Sequence, residues 1–528
     1  MASEAGRVSL ATMASRVLGL VREQVMAALF GAGLATDAFN VAFRVPNLLR
    51  DLFAEGALSA SFVPTFTEAD HRAGRAEAWR LGAQVLNALA IALTVIAVVG
   101  WFIAPWLVPL LAPGFSAVPG KLELTITLSR IMLPFLVFIA LAAAAMGMLN
   151  SVRRFTVPAL APLFLNLGMV VGGLAFIPVF KAFGQPAILG MGVGVVIGGL
   201  LQFAVQVPAL WQMGWRPAWP PVLTHPGVKR IATLMVPATI GLAATQLNIF
   251  VNTILASLLV QGSVSWLAFA FRLMQLPIGV FGVALATVSL PTVAKHAVTG
   301  DIVALRATLS GALRLVLALT LPATFGLWAL ASPLVKLLYE HGRFVRADTD
   351  QTAAALSAYC VGLCAYAAVK VLVPVYYALG DTKTPVRASF LSVVVNLAGN
   401  LALMGPLGHV GLALSTSLTM LFNFAQLSFF LRPRLKRLEG RRIAATFART
   451  ALASAAMAVV VRAAVYFTEP WWRSGTVASG LLVFAGIAMG AGLTWGFYRI
   501  ARVEELPELE EAVAGLGRRL GITRAGGR

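Results

Sequence analysis

The most restrictive feature of the chain is a series of apolar runs, separated by short stretches rich in glycine, proline and charged residues. Each run reaches about twenty residues, the length that an α-helix needs to cross the hydrocarbon core of a bilayer. Helices satisfy their own backbone hydrogen bonds in that environment. Only 12% of the residues are charged, about half the share found in soluble domains. The sequence therefore predicts an all-α polytopic membrane protein.

About fourteen segments are long enough to cross a membrane, and an even number of crossings places both termini on the same side. The segments fall at 6–31, 36–66, 79–112, 122–150, 157–180, 186–211, 228–260, 265–295, 303–331, 349–379, 385–404, 409–430, 444–467 and 475–499. After the last segment, the apolar rhythm of residues 503–522 predicts a short surface helix, with Leu509, Val513, Leu516 and Leu520 on one face.

Lysine and arginine are distributed unequally between the two alternating sets of loops. The first set contains Arg72, Arg75, Arg80, Arg153, Arg154, Arg216, Lys229, Arg230, Lys295, Arg306, Lys383, Arg387 and a basic cluster at 432–442. The second set contains little beyond Lys121, Lys181, Arg473 and a loop of mixed charge. Cytoplasmic loops collect basic residues, so both termini are expected in the cytoplasm. This asymmetry explains much of the net charge of +20 without a nucleic acid, and the basic cluster suits anionic membrane lipids.

Two segments of the chain resemble each other. Residues 42–66 read AFRVPNLLRDLFAEGALSASFVPTF, and residues 270–293 read AFRLMQLPIGVFGVALATVSLPTV, so that Arg44 aligns with Arg272. The segments are the second and eighth predicted spans and run in the same direction. A parallel repeat of this kind predicts two six-helix lobes with a site between them. We therefore predict a lobe at 1–215, a second lobe at 216–432, two additional helices at 433–500 and a cytoplasmic tail at 501–528.

Ionisable residues are concentrated in the opening spans of the first lobe. They are Arg16, Arg22, Glu23, Asp37, Arg44, Arg50, Asp51 and Glu55, together with Arg272 of the eighth span. An arginine that faces lipid costs about 2.5–3.5 kcal/mol on insertion scales, so these groups are expected to line a wet cavity. Arg16 and Arg22 are separated by about 9 Å of helical rise and can line a broad cavity but no compact site. Guanidinium groups bind phosphate in a bidentate manner, which favours a multiply anionic ligand such as a pyrophosphate.

A structural interpretation competes with ligand binding at several of these positions. Arg22 with Glu23, and Arg50 with Asp51, are also suited to ion pairs between helices. Arg44 and Asp37 are also suited to the membrane interfaces, where long side chains extend toward water. Glu55 is expected to neutralise a neighbouring arginine between transport steps.

Several motifs resemble those of the MurJ (MviN) family of lipid II flippases. They are SRVLGLVREQ at 15–24, the block FGAGLATDAFNVAFR and its continuation at 30–66, FRLMQLPIGVFGVALATVSLP at 271–291, YEHGRF at 339–344 and VKVLVPVYYALGDTKTPV at 369–386. The resemblance covers nearly the whole chain and is weakest after about residue 440.

The resemblance implies fourteen helices, with two six-helix lobes like those of MATE exporters and a groove for a polyprenyl tail between the helices at 433–500. It implies alternating access that carries lipid II from the cytoplasmic to the periplasmic leaflet of the bacterial inner membrane, without enzymatic activity. Expected partners are lipid II, membrane lipids and cell-wall synthesis proteins. The chain has no nucleotide-binding motif, so the membrane potential or a coupling monovalent cation is expected to drive transport, with no cofactor.

The resemblance also assigns site residues. The substrate-binding positions that match the family are Arg16, Arg22, Arg50, Arg272, Asp37, Glu55, Pro162 and Asn166. Some relatives have an arginine at the position of Asp51, and some bind sodium through carboxylates. The corresponding positions here are Asn252, Asn396, Asn400 and Thr416. These side chains are neutral, and hard cations prefer carboxylate oxygens, which argues against a sodium site.

Two other functions remain open from the sequence. A drug exporter of the same superfamily would share the fold, although organic cations would require more carboxylates than arginines in the cavity. A scaffold for cell-wall synthesis would use the basic cluster at 432–442 and the tail. We find no catalytic constellation and no histidine or cysteine spacing typical of a metal site.

Overall fold

The computed structural model describes residues 2–51, 58–218, 224–435 and 439–511, and all the regular elements in these ranges are helical. The predicted all-α class is therefore confirmed. The α-helices are α1 (Ala2–Phe30), α2 (Leu34–Leu49), α3 (Leu58–Ala73), α4 (Arg75–Leu111), α5 (Lys121–Met132), α6 (Phe135–Ser151), α7 (Thr156–Leu167), α8 (Gly173–Ala182), α9 (Ile188–Ala204), α10 (Val207–Gln212), α11 (Pro226–Ser257), α12 (Ser263–Pro277), α13 (Val283–Thr299), α14 (Ile302–Ala329), α15 (Ala331–Tyr339), α16 (Arg346–Ala378), α17 (Lys383–Leu431), α18 (Gly440–Phe467), α19 (Glu469–Trp472) and α20 (Thr476–Ile500). Two π-helical turns, Gly168–Gly172 and Ile278–Gly282, interrupt longer helices.

Within the described ranges, ten helical segments are long and apolar enough to cross a membrane, and some of them, such as Lys121–Ser151, combine two consecutive helices. One of them, α17, contains two of the predicted spans. Gly408, with a φ of 56°, kinks the helix between these two spans. The described residues of the first, second and seventh predicted spans are largely helical as well, in α1, in α2 with α3, and in α11. The count of fourteen spans remains a prediction.

The chain divides into two compact units. The first consists of Met1–Ser265 together with His341–Asp348, and the second consists of Trp266–Glu340 together with Thr349–Arg528. The lobe boundaries that we place at 215/216 and 432/433 remain predictions.

In the first unit, apolar side chains hold α1, α2, α5, α6, α7 and α9 together. Met26, Phe39, Leu128 and Phe135 belong to one buried cluster. Helix α9 lies close to α7 because Gly198 has no side chain: a Cβ there would lie 2.5 Å from the carbonyl oxygen of Leu165. This packing fixes the position of α7, which carries the polar residue of the candidate site.

Two of the motifs quoted for the family resemblance contact each other in the first unit. The backbone N–H of Arg343 donates to the carbonyl oxygen of Ala28 over 2.9 Å. Gly342, in YEHGRF, and Gly31, in FGAG, both have positive φ angles, 59° and 65°. A Cβ on Gly342 would lie 2.2 Å from the oxygen of Ala28, and one on Gly31 would lie 2.6 Å from that of Arg343. Both motifs therefore need glycine for the same close approach.

In the second unit, α14 packs against α18, and α20 packs against both α15 and α18. Leu330, Met457, Val461 and Trp472 form part of the buried apolar cluster between these helices. Helices α18 and α20 lie within the range predicted for the two additional helices.

The segment after α20 is anchored to the second unit. Arg314 of α14 forms ion pairs with Glu504 and Glu505, at 2.6 and 2.9 Å, and Thr446 donates to Glu505 over 3.2 Å. Residues 506–511 are helical, which agrees with the start of the predicted surface helix. The predicted apolar positions Val513, Leu516 and Leu520 lie outside the described residues.

Candidate functional site

Arg22 is at the centre of a polar cluster between α1 and α7. Its Nη1 donates to Oδ1 of Asn166 over 3.0 Å and approaches Sδ of Met169, 3.5 Å away. Its Nη2 forms an ion pair with Glu23. The arginine side chain is only 12% exposed, so these contacts hold the guanidinium in one place. They use three of its five N–H groups, which leaves others available to a ligand.

Asn166 fixes that geometry from α7. Its Nδ2 donates to the carbonyl oxygens of Ser15 and Pro162, each over 3.2 Å. Pro162 cannot donate a backbone hydrogen bond to the helix, and its carbonyl oxygen supports the amide group of Asn166. Three of the predicted substrate-binding residues, Arg22, Asn166 and Pro162, thus belong to one hydrogen-bonded cluster.

Arg16 lies on the same helix as Arg22 and is exposed. Among the residues that the structure describes, no hydrogen-bond or ion-pair partner of its guanidinium is found. The spacing of six residues separates the two arginines by about 9 Å along α1. Arg16 therefore offers an exposed cation beside the restrained one.

Arg50 is restrained by its neighbour in the sequence. Its Nη2 lies 2.8 Å from Oδ1 of Asp51, and Oδ2 of Asp51 accepts from Nε2 of Gln246 over 3.3 Å. Arg44, Asp51 and Gln246 line a cavity of about 20 Å³, which has room for about one water molecule. Arg22 and Arg50 pair with Glu23 and Asp51, as considered from the sequence, but each pair joins adjacent residues of the chain and not two helices.

Asp37 is buried at the start of α2, with all its contacts inside the first unit. Its Oδ2 accepts from Nζ of Lys121 and from the backbone N–H of Gly262, both over 2.8 Å. Its Oδ1 accepts from the backbone N–H and the hydroxyl of Ser265, over 2.9 and 2.6 Å. The interpretation of Asp37 as an interfacial side chain that extends toward water is wrong, because it is 1% exposed and four donors already surround the carboxylate.

Arg272, the counterpart of Arg44 in the repeat, lies in the second unit. It occupies the middle of α12 and is exposed. Phe271, which precedes it, contacts the rings of Tyr359 and Tyr366 at centroid distances of 5.4 and 6.3 Å. The remaining predicted substrate-binding residue, Glu55, lies outside the described residues.

The candidate ion-binding residues are neutral side chains in both units. In the second unit, Nδ2 of Asn400 donates to Oδ1 of Asn396 over 2.9 Å, and the hydroxyl of Thr416 donates to the carbonyl oxygen of Leu412 over 2.9 Å. Asn252 lies on α11 in the first unit. No group of three or more His, Cys, Asp or Glu residues suited to a metal ion is present in the described part of the chain.

Three residues of these clusters are not predicted from the sequence: Lys121 and Ser265, which surround Asp37, and Gln246, which donates to Asp51. Lys121 was assigned to a loop, although its position at the start of an apolar run is an indication that it can turn inward. Ser265 begins a span in the same way. Neither pattern identifies Asp37 as the partner, because Lys121 and Ser265 are distant from it in the sequence.

The sequence of the chain is similar to those of one protein family. The family model described as lipid II flippase MurJ matches residues 26–482. A probable lipid II flippase MurJ from Vibrio cholerae is 36% identical over 501 residues, which cover 93% of this chain and 90% of the relative. The lipid II flippase MurJ of Burkholderia cenocepacia is 39% identical over 427 residues, covering 80% of this chain and 82% of the relative.

Solved structures agree with the sequence relatives. A lipid II flippase MurJ in an inward closed conformation superimposes with a TM-score of 0.77 at 27% identity, covering 93% of this chain and 98% of that structure. An inward-facing multidrug resistance transporter of the MATE family superimposes with a TM-score of 0.66 at 15% identity, covering 81% of this chain and 96% of that structure. The second likeness is one of fold alone, and it confirms the predicted MATE-like class.

Proposed function

The chain belongs to the lipid II flippase MurJ family, and on that premise we propose that it carries lipid II across the bacterial inner membrane by alternating access. The observation that supports this function best is the Arg22 cluster. A guanidinium held by Asn166 and Glu23 retains free N–H groups, and an exposed Arg16 lies on the same helix. Restrained guanidinium groups suit a pyrophosphate, because their planar N–H groups match its oxygens and need little reordering on binding.

In this proposal, Arg16 and Arg22 of the first unit contact the pyrophosphate. The substrate contact of Arg272 stays a prediction from the sequence. Arg50 contributes positive charge at the edge of the site, and Asp51 partly neutralises this charge. Pro162 and Asn166 position Arg22 and do not themselves carry the charge of the ligand. Asp37 fixes helix ends, since its oxygens are occupied by protein donors, and Glu55 balances charge when the headgroup has left.

We also propose that both termini are cytoplasmic and that the membrane potential drives transport. The basic loops support the orientation through the positive-inside rule. The neutral character of Asn252, Asn396, Asn400 and Thr416 supports a mechanism without sodium, because Na⁺ prefers carboxylate oxygens. Replacing Na⁺ by K⁺ in a translocation assay is then expected to leave the rate unchanged. A rate that depends steeply on Na⁺ would contradict this part of the proposal.

The central test measures ligand binding by the purified full-length chain in detergent. Thermal stabilisation is compared for undecaprenyl pyrophosphate, undecaprenyl monophosphate and the lipophilic cation tetraphenylphosphonium. We expect the pyrophosphate lipid to stabilise the protein most. Arg22→Gln is expected to weaken its binding about tenfold or more, since a hydrogen bond to a charged group contributes about 1.5–3 kcal/mol. Arg154→Gln, which alters an exposed loop arginine, is the matched control.

Two outcomes would overturn the proposal. Stabilisation by the lipophilic cation, without any by the pyrophosphate lipid, would indicate a drug exporter. The second outcome concerns cells depleted of their own flippase: sustained growth with each of Arg16→Gln, Arg22→Gln and Arg272→Gln, but not after removal of the tail, would indicate a scaffold for cell-wall synthesis.

A further inference from the structure

A second polar cavity lies inside the second compact unit, and no residue of the proposed transport site lines it. Its volume is about 220 Å³, far more than one water molecule needs. The polar and aromatic side chains that line it are Trp328 of α14, Ser332 of α15, Asp350 and Ser357 of α16, and Arg462 of α18.

The cavity lies near one end of three long helices. Trp328 precedes the last residue of α14, Asp350 is the fifth residue of α16, and Arg462 is five residues from the end of α18. At 1.5 Å of rise per residue, each side chain starts within about 8 Å of its helix end. Tyr466 and Phe467, at the end of α18, are 70% and 79% exposed. Exposed aromatic residues at helix ends are typical of the level at which lipid headgroups lie.

Arg462 provides a cation to this cavity. Its guanidinium carbon lies 5.9 Å from the centre of the Trp328 ring, and the side chain is exposed. In the described ranges of the chain, its N–H groups have no acceptor. A charged group at this depth needs water or an anion, because hydrocarbon does not solvate it.

Only one of the two carboxylate oxygens of Asp350 accepts a hydrogen bond from the residues that the structure describes. Its Oδ1 accepts from Nη2 of Arg473 over 3.2 Å, and Arg473 is itself neutralised by Glu469, at 2.6 Å. Oδ2 of Asp350 has no hydrogen-bond partner among the residues that the structure describes. The hydroxyl of Ser357 donates to the carbonyl oxygen of Ala353, so its lone pairs remain available as acceptors.

We propose that this cavity binds the headgroup of a phospholipid that carries a primary amine, such as phosphatidylethanolamine. The phosphodiester lies at the Arg462 guanidinium, and the ammonium group lies at Oδ2 of Asp350, within reach of Ser332 and Ser357. One cation and one available carboxylate complement a zwitterion with one phosphate and one ammonium group. The exposed surface of α18 near Arg462, where Val459 and Tyr466 lie three residues before it and four residues after it, accommodates the acyl chains.

The same charges select against the other common phospholipids. Phosphatidylglycerol brings the phosphate but no cation, so Asp350 would face an anionic ligand without compensation. Phosphatidylcholine brings a cation without N–H donors, so it forms no hydrogen bonds with Asp350 or the serines. Because Arg22, Asn166 and Asp37 play no part, the site does not depend on the proposed transport function.

The test is a lipid titration of the purified full-length chain in detergent, followed by native mass spectrometry. The three lipids have identical acyl chains, and free phosphoethanolamine is a fourth ligand. We expect phosphatidylethanolamine to bind about tenfold more tightly than phosphatidylglycerol or phosphatidylcholine. Arg462→Gln is expected to abolish that tight binding. Asp350→Asn is expected to reduce the preference over phosphatidylglycerol to less than about twofold, because the amine loses its counter-charge.

Two substitutions serve as matched controls. Glu123→Gln removes an exposed carboxylate of α5 that does not line the cavity, and Arg441→Gln removes an exposed arginine at the opposite end of α18. Both should bind the lipids as the unmodified chain does. Equal affinity for the three lipids, phosphatidylethanolamine binding unaffected by Arg462→Gln, or free phosphoethanolamine binding as tightly as the lipid would each overturn the proposal.

Discussion

Lys121 Nζ lies 2.8 Å from Oδ2 of Asp37, and the two side chains are 3% and 1% exposed. The ammonium group also lies 4.1 Å from the centre of the Phe115 ring. Gly262 and Ser265 donate to the same carboxylate. One buried anion thus joins the beginnings of α2, α5 and α12 inside the first unit.

We predict that Lys121→Met destabilises the protein by about 3–5 kcal/mol, because it leaves the buried Asp37 carboxylate without its counter-charge. The measurement is thermal unfolding of the purified chain in detergent. The double variant Lys121→Met with Asp37→Asn should recover a large part of the loss, since the uncompensated charge is gone. Glu123→Gln, an exposed change on the same helix, is the control. Equal melting temperatures for Lys121→Met and the unmodified chain would contradict the role of this pair.

The second prediction concerns the position of Arg22. Asn166→Leu preserves the approximate size of the side chain but removes the acceptor of Arg22 and two donors to backbone oxygens. We expect affinity for undecaprenyl pyrophosphate to fall about tenfold, because the guanidinium is no longer held in the binding geometry. Asn87→Leu is the control, since it removes one hydrogen bond, to the oxygen of Ala218, without contacting α1. If both variants lost affinity equally, Asn166 would have no specific positioning role.

The third prediction separates backbone strain from close contact. Gly342→Ala introduces a left-handed alanine, at about 1–2 kcal/mol, and also a methyl group 2.2 Å from the oxygen of Ala28, which adds about 1–3 kcal/mol. Gly380→Ala introduces the same strain at φ 74° but meets no atom within 4 Å. Gly342→Ala should therefore unfold at a clearly lower temperature than Gly380→Ala. If the two variants unfolded at the same temperature, the close contact with Ala28 would add no destabilisation to that caused by the positive φ angle.

The fourth prediction concerns the loop between α16 and α17. Hydrogen bonds from Thr384 lower the pKa of Asp381 below its ordinary value, and the Arg434 guanidinium, 2.7 Å away, acts in the same direction. A lowered carboxyl pKa stabilises the folded state fully above the ordinary pKa of about 4, and this stabilisation is lost as the pH falls through the lower, folded value. Asp381→Asn should thus have a lower melting temperature than the unmodified chain at pH 7, and the difference between the two melting temperatures should shrink as the pH is lowered toward 3. A difference that is independent of pH would show that ionisation of Asp381 is not involved.

Local patterns in the sequence were sufficient for much of the fold. The lengths of the apolar runs predicted helices that the structure contains, and the motif resemblance identified a family that the comparisons confirm. The ion pairs Arg22–Glu23 and Arg50–Asp51 were foreseeable as well, because their members are adjacent in the chain. Helical spacing also placed Arg16 and Arg22 on one helix, about 9 Å apart.

The sequence by itself determined the all-α membrane class, because that class depends on the composition and length of single segments. Only the tertiary structure decided which partner each buried charge has. Asp37 meets Lys121 across 84 positions, and Arg22 meets Asn166 across 144. Periodicity specifies the face on which a side chain lies, whereas packing of whole helices decides what that face meets. For that reason the sequence predicted Asp37 as a ligand contact, whereas the structure shows its carboxylate bound to donors at the beginnings of α5 and α12.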